Sequence, residues 1–223
     1  MNKITFIIPT IGRDTLLLSI KSLKDQTNSN WNAIIIFDGI KSNIENNDNR
    51  IKIIEIEKKG ININSAGNVR NYGISIALTE WIAFLDDDDT IANDYIDTFY
   101  NELKLFPDID LLIFRMQMDN RIIPKLDADN FYICDVGISF IMKKKIFDDC
   151  IQFIPDGAED FLYLDLIRKK NYKIIISPFI KYFVRNKIYI MQKLSIFSQL
   201  YKNRVFINMQ NPYIEYIKYI MLV

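Results

Sequence analysis

The sequence predicts an α/β fold with a mostly parallel sheet, helices on both of its faces, and further helices at the C-terminal end. Strand-like and helix-like segments alternate through the first half, the pattern of β-loop-α units. Two apolar runs also stop abruptly at acids: Ala33-Ile34-Ile35-Ile36-Phe37 ends at Asp38, and Trp81-Ile82-Ala83-Phe84-Leu85 ends in Asp86, Asp87, Asp88 and Asp89. A short continuous apolar run reads as an interior strand. The acids therefore fall where strands leave the sheet, the edge at which open α/β sheets bind ligands.

The elements follow in order. Ile4 to Ile8 reads as a buried strand closed by Pro9, too short for a signal sequence. The loop Pro9-Thr10-Ile11-Gly12-Arg13 leads to Asp14, an expected N-cap for a helix reaching about Gln26. The second strand is Ala33 to Phe37, the Asn-rich stretch Lys41 to Arg50 is a surface loop, and Ile51 to Ile56 is a third strand. Asn64 to Ala77 has helical spacing with small residues that allow close backbone approach. After the Trp81 strand, Tyr95, Ile96, Phe99, Tyr100, Leu103 and Phe106 recur as one face of a helix from Asn93 to Phe106. Ile109 to Met116 reads as a strand, and Asp119 to Asn130 as hairpin or loop.

The second half is less regular. Strands are expected at Val136 to Met142, at Tyr172 to Ser177 and at Phe179 to Val184, the last two broken by Pro178. Helices are expected at Lys143 to Asp149 and at Gly157 to Lys170, where Glu159 and Asp160 suit the positive end of the helix dipole. Ile190, Leu194, Phe197 and Tyr201, and then Ile214, Ile217 and Met221, mark two further helices. Residues 186–223 are thus expected to form a helical extension packed on a domain of residues 1–185. Its amphipathic pattern also suits a partner or a membrane surface.

Composition narrows the chemistry. The 223 residues are 49% hydrophobic, enough for a substantial core, and carry 28 basic and 28 acidic residues with no basic block, so nucleic acid is not an expected partner. Cys134 and Cys150 have no metal-ligand or disulfide spacing and read as free thiols of a reducing, cytoplasmic compartment. No stretch approaches the roughly 20 apolar residues of a membrane-spanning helix. The chain has no histidine, which excludes Ser-His-Asp and Cys-His catalysis and His-based zinc sites. Proton chemistry must fall to carboxylates, Lys, Tyr or Cys.

Four adjacent carboxylates repel one another, and a hard divalent cation, Mg²⁺ or Mn²⁺, relieves that repulsion while bridging to a substrate phosphate. The simpler alternative is a solvated acidic turn. An EF-hand is set aside, because counting from Asp86 puts Ile91 where the loop needs Gly and Asp97 where a Glu is usual.

Six segments together carry a family resemblance. Phe6-Ile7-Ile8-Pro9-Thr10, Ser22-Leu23-Lys24-Asp25-Gln26-Thr27, Ile34-Ile35-Ile36-Phe37-Asp38-Gly39, Val69-Arg70-Asn71-Tyr72-Gly73-Ile74, Phe84-Leu85-Asp86-Asp87-Asp88-Asp89 and Gly157-Ala158-Glu159-Asp160 occur in this order. Over about residues 3 to 185 the chain resembles family 2 glycosyltransferases, which have the GT-A fold. The resemblance implies a nucleotide-sugar donor bound by Thr10, Arg13, Asp38, Arg70, Asn71, Asp86 and Arg185, with Asp38 reading a uracil-type base. It implies a DXD motif in which Asp88 is the main ligand of Mn²⁺ or Mg²⁺, with Asp86 on the ribose or a metal-bound water and Asp87 and Asp89 in support. Arg70 would contact the nucleotide or order the acidic loop. Glu159 and Asp160 match the acidic catalytic pair, with Asp160 as general base.

Three positions depart from the family pattern. Phe37 stands where many relatives have an acid, Arg185 where a histidine often follows a late Tyr, and Phe161-Leu162-Tyr163 where a further acid is frequent. A guanidinium can hold a diphosphate but cannot ligate a metal. The resulting expectation is an inverting, metal-dependent transferase that moves a sugar from a UDP-sugar to a hydroxyl of a glycan, lipid-linked or protein-linked saccharide. It would be cytoplasmic, with peripheral contact to a membrane surface through the C-terminal helices left open. The rivals are a nucleotidyltransferase, which should show a Gly-rich basic loop that Pro9-Thr10-Ile11-Gly12-Arg13 lacks, and a non-catalytic sugar-nucleotide or glycan-binding module.

Overall fold

A computed structural model describes residues 3–59, 66–154 and 156–185. One sheet contains β1 (Ile4–Thr10), β2 (Trp31–Asp38), β3 (Ile51–Ile56), β4 (Trp81–Phe84), β5 (Thr90–Ile91), β6 (Leu111–Met118), β7 (Arg121–Ile123), β8 (Phe140–Lys143) and β9 (Ile174–Val184). The order is β3-β2-β1-β4-β8-β6-β9-β5, with β7 alongside β6. β3, β2, β1 and β4 are mutually parallel, as are β6 and β9 over a long ladder. The antiparallel contacts, β4–β8, β6–β8, β6–β7 and β5–β9, are only two or three residue pairs each. The sheet is thus mostly parallel by paired length, and β8 reverses its direction in the middle.

Every residue of β1 and of β4 is buried, the condition that makes such strands read as unbroken apolar runs. The helices are α1 (Leu16–Lys24), α2 (Gly67–Ile76), α3 (Tyr95–Leu105), α4 (Lys145–Asp148) and α5 (Glu159–Lys169). α1 turns Leu16, Ser19, Ile20 and Leu23 inward. It starts one residue later than expected: Thr15 occupies the N-cap in place of Asp14, with no side-chain cap bond, and the Leu16 N–H is taken up by the Arg13 carbonyl at 3.1 Å. α2 lies unusually close to the sheet. A Cβ at Gly73 would stand 2.5 Å from Ile7 Cγ2 and 2.8 Å from Ile36 Cδ1, so only glycine lets the helix seat there. Each fully buried Ile or Phe beneath it contributes about 1.5–3 kcal/mol.

Elsewhere the expectations shift in detail. The Asp119 to Asn130 stretch forms a β6–β7 hairpin turned at Asp119, whose φ is 54°. β8 is shorter than the expected Val136 to Met142 strand. Pro178 does not break the last strand. β9 runs through it because the β6 ladder slips there, from Ile113 opposite Ile176 to Arg115 opposite Ile180, and a bulge has no need of the N–H that proline lacks. The two C-terminal helices expected from the sequence lie outside the described residues, as does the start of the Asn64 helix. Among the described residues no helix is long and apolar enough to cross a membrane.

Candidate active site

The parallel strands deliver their last residues to one edge: Thr10 from β1, Asp38 from β2 and the loop Leu85–Asp89 from β4. Tyr182 and Arg185, at the end of β9, reach the same loop. The four consecutive carboxylates do not share one environment, because the loop turns them apart.

Asp87 points down into the fold. It accepts a hydrogen bond from Thr10 Oγ1 at 2.6 Å and is paired with Arg13 Nη1 at 2.6 Å. Thr10 Oγ1 in turn accepts the Gly12 N–H at 2.9 Å. Thr10 and Arg13, expected against the nucleoside, thus brace the acidic loop, and Arg13 also approaches Asp88 at 3.5 Å. Asp86 is paired with Arg70 Nη2 at 2.6 Å, and its N–H donates to the Tyr182 hydroxyl at 3.1 Å. Asp89 is buried and accepts hydrogen bonds from the Arg185 N–H at 3.1 Å and from the Tyr182 hydroxyl.

Asp86, Asp88 and Asp89 each bring a carboxylate oxygen within 4.8 Å of the others, a group that could hold a metal ion. Their electrostatics fit a cation. Burial, and then the charge of Asp86, pushes the Asp88 carboxyl up to about 6, with Arg13 pulling the other way. Burial and the charges of Asp86 and Asp88 push Asp89 up as well, against the bonds from Arg185 and Tyr182. The Tyr182 hydroxyl is held well above its ordinary range by burial and by Asp89 and Asp86. Carboxylates crowded with too little positive charge form a donor set that a hard divalent ion completes.

Arg70 joins this loop to α5. It is 3% exposed, and its two Nη atoms reach Asp86 at 2.6 Å and Glu159 Oε1 at 2.5 Å, with Asp160 Oδ1 at 3.5 Å. Burial alone would lower its pKa, but Asp86, Glu159 and Asp160 more than offset that and hold it above the ordinary arginine value. Glu159 is buried and fully engaged. Its two oxygens accept the Ala66 and Gly67 N–H groups at 3.0 Å each, capping α2, while Arg70 supplies the countercharge. A Cβ at Gly67 would crowd Glu159 Oε2 to 2.9 Å, which is why the helix begins on glycine. Asp160, one residue on, keeps 29% of its side chain in solvent.

Two more expected donor residues are engaged within the chain. Asn71 clamps the Phe153 backbone, donating to its carbonyl and accepting its N–H, both at 2.9 Å. Phe153 stacks on Tyr163 at 3.9 Å and lies under the Arg70 guanidinium. Asp38 is buried, accepts the Lys59 N–H at 2.5 Å and pairs with Lys58 Nζ at 3.0 Å. Arg185 is exposed and tied to the site through its backbone. Tyr182 is the residue to which the sequence assigned no role. Its signal was only its place, three residues before Arg185 at the end of the last strand.

Glycosyl transferase family 2 matches residues 5–150, which is most of the chain. The chain belongs to this family. It is 35% identical over 100 residues to the putative glycosyltransferase EpsH of Bacillus subtilis, covering 41% of this chain and 28% of that protein. Among solved structures it is similar to S. aureus TarS 1-349 in complex with UDP-GlcNAc, with a TM-score of 0.63, 18% identity, and coverage of 83% of this chain and 59% of that one. It is also similar to the mannosyltransferase PcManGT from Pyrobaculum calidifontis in complex with GDP-Man and Mn²⁺, with a TM-score of 0.61, 14% identity, and coverage of 79% and 55%. The fold is GT-A, as the sequence resemblance implied. The chain spans less than two thirds of each of these proteins.

Proposed function

We propose that the chain transfers a sugar from a nucleotide-sugar donor, a UDP-sugar, to a hydroxyl of a glycan, lipid-linked or protein-linked saccharide, with inversion at the anomeric carbon. The observation that carries this reading is the Arg70 bridge, which binds the acidic loop after β4 to the first turn of α5 and leaves Asp160 reachable beside it. The solved neighbours hold UDP-GlcNAc, or GDP-Man with Mn²⁺, which supports a nucleotide sugar as donor.

Mn²⁺ or Mg²⁺ held by Asp88, with Asp86 and Asp89 around it, would supply Lewis-acid stabilisation of the departing diphosphate. The exposed guanidinium of Arg185 adds fixed positive charge at the same edge. Asp38, at the end of β2, takes the nucleobase, with Lys58 and Lys59 holding its carboxylate in place. Arg70 fixes Asp86 on one side and the base-bearing turn on the other, so donor and acceptor groups share one rigid frame. Asp160 accepts the acceptor hydroxyl's proton as the new C–O bond forms, since a hydroxyl is far less acidic than a carboxylic acid with a reference pKa of about 3.9. Glu159 is committed to α2 and Arg70, so it positions rather than reacts.

Two variants test the assignment. Asp160→Asn should keep donor binding and reduce transfer by about 10²–10⁴-fold, the range for losing a general base. Asp88→Ala should lose metal-dependent donor binding. Unchanged transfer by Asp160→Asn would overturn the base assignment.

A further inference from the structure

We propose that Arg115 is the positioning residue of an acceptor-facing loop, residues 124–131, and so sets affinity for the acceptor saccharide and not for the donor; this rests on the transferase reading above. Arg115 lies in β6 and is 3% exposed. It sits between the two slips in the β6–β9 ladder, where bulging re-aims side chains, a feature common beside active sites. Its guanidinium donates to the carbonyls of Pro124 at 2.8 Å, Lys125, and Ala128 at 3.1 Å, all on one loop. Its hydrogen-bond partners are thus main-chain carbonyls, its Nε has none, and the carboxylate of Asp127, on the same loop, only partly offsets the burial of its charge. Burying a cation on such terms is costly, and an apolar side chain of similar volume would serve folding better. What the arginine supplies is a fixed path for the loop.

The location of that loop gives the path its meaning. Met116, next to Arg115, lies in register with Tyr182, whose hydroxyl touches the acidic loop. The strand entered after the loop, β8, runs antiparallel to β4, so its start lies at the end of β4 that carries Asp86. The far end of the loop is bolted to the helix of the general base. Phe131 packs edge-on against Phe161, the residue after Asp160, while Arg168 stacks over Phe131 and donates to Asn130 Oδ1 at 3.0 Å. The residues assigned to the donor come mostly from β1, β2, the end of β4 and α2, with Arg185 at the end of β9. The loop stands past β4 on the β8–β6 side and leads through Phe131 to the helix of Asp160, the base that an acceptor hydroxyl has to reach in the transferase reading. Leu126 and, just beyond the loop, Tyr132 are exposed there and offer apolar surface for the C–H face of a sugar ring.

The experiment measures UDP release from UDP-GlcNAc with Mn²⁺ by the full chain, first with water and then with nitrophenyl glycosides of glucose, galactose and N-acetylglucosamine. Arg115→Met should keep donor affinity within about two-fold, the scatter of independent sites, and keep hydrolysis by water. It should raise the KM for the stimulating glycoside about ten- to hundred-fold, the scale of a misplaced binding group. Arg168→Met, which frees the other end of the loop, should shift the same KM in the same direction, and carries the test if Arg115→Met does not fold. An unchanged glycoside KM, an equal loss in hydrolysis and transfer, or a wild-type chain that hydrolyses donor yet responds to no glycoside would overturn the proposal. A wild-type chain that neither binds nor hydrolyses UDP-GlcNAc overturns the transferase reading with that donor instead.

Discussion

The two sides of the sheet place their functional groups by different means. On the β3-β2-β1-β4 side, the buried parallel strands β2, β1 and β4 carry Asp38, Thr10 and the acidic loop to one edge, so the backbone ladder sets where these residues leave the sheet before Thr10 and Arg13 brace the loop. On the β8-β6-β9 side the antiparallel contacts are short, the long ladder is bulged, and loops are held by buried arginines: Arg115 on one, and on the turn bearing Asp160 Arg70, which reaches across from α2 through Glu159. The difference teaches that the first side should tolerate loss of individual polar side chains, whereas the second should fail when one guanidinium is removed.

Arg70→Ala tests this most severely, because it strands the buried Glu159 and removes the tie to Asp86. We expect a loss of about 3–5 kcal/mol, read from urea unfolding, as for other buried pairs deprived of one partner. Thr10→Val, on the ladder-built side, removes one of Asp87's partners but leaves Arg13 in place. Its expected cost is about 1–3 kcal/mol by the same measurement. Lys58→Ala should cost about 1 kcal/mol or less, because the lysine is half in solvent. A Thr10→Val loss equal to that of Arg70→Ala would erase the distinction between the two sides.

The acidic loop adds a pH dependence whose sign is fixed. The Asp88 carboxyl, raised to about 6, holds its proton over a range where the unfolded chain has lost it. The metal-free fold therefore loses stability through this group as pH rises from about 4 to about 6. A bound cation needs the ionised carboxylates, so it competes with the proton. Thermal melts should show Mn²⁺ raising Tm at pH 7.5 and raising it much less at pH 5. Equal shifts at both would place the ion elsewhere.

Much of the ladder-built side was legible in the sequence, because strands buried on both faces print as unbroken runs and their last residues print as the acids that follow. The first two strands and the Trp81 strand were found within a few residues for that reason, while the half-buried third strand was marked by its isoleucines alone. The acidic run was legible as a group, but not its division of labour. That Asp87 faces Thr10 and Arg13 while Asp89 faces Tyr182 depends on a turn of the loop that four identical residues cannot encode. Glu159 and Asp160 looked like a pair, yet one caps a helix 92 residues away in sequence and the other keeps 29% of its side chain in solvent. Arg115 left no mark, because its partners are carbonyls of a loop with no pattern of its own, and β9 was split at Pro178 because a bulge is a tertiary event.

The most direct measurement of the central claim is a calorimetric titration of the folded chain with UDP-GlcNAc and other nucleotide sugars, first with Mn²⁺ and then with chelator. Binding of one donor that appears with Mn²⁺, vanishes with chelator and is lost in Asp88→Ala is the result expected of a metal-assisted transferase site. Absence of binding to every donor, in a chain shown to be folded, would contradict it.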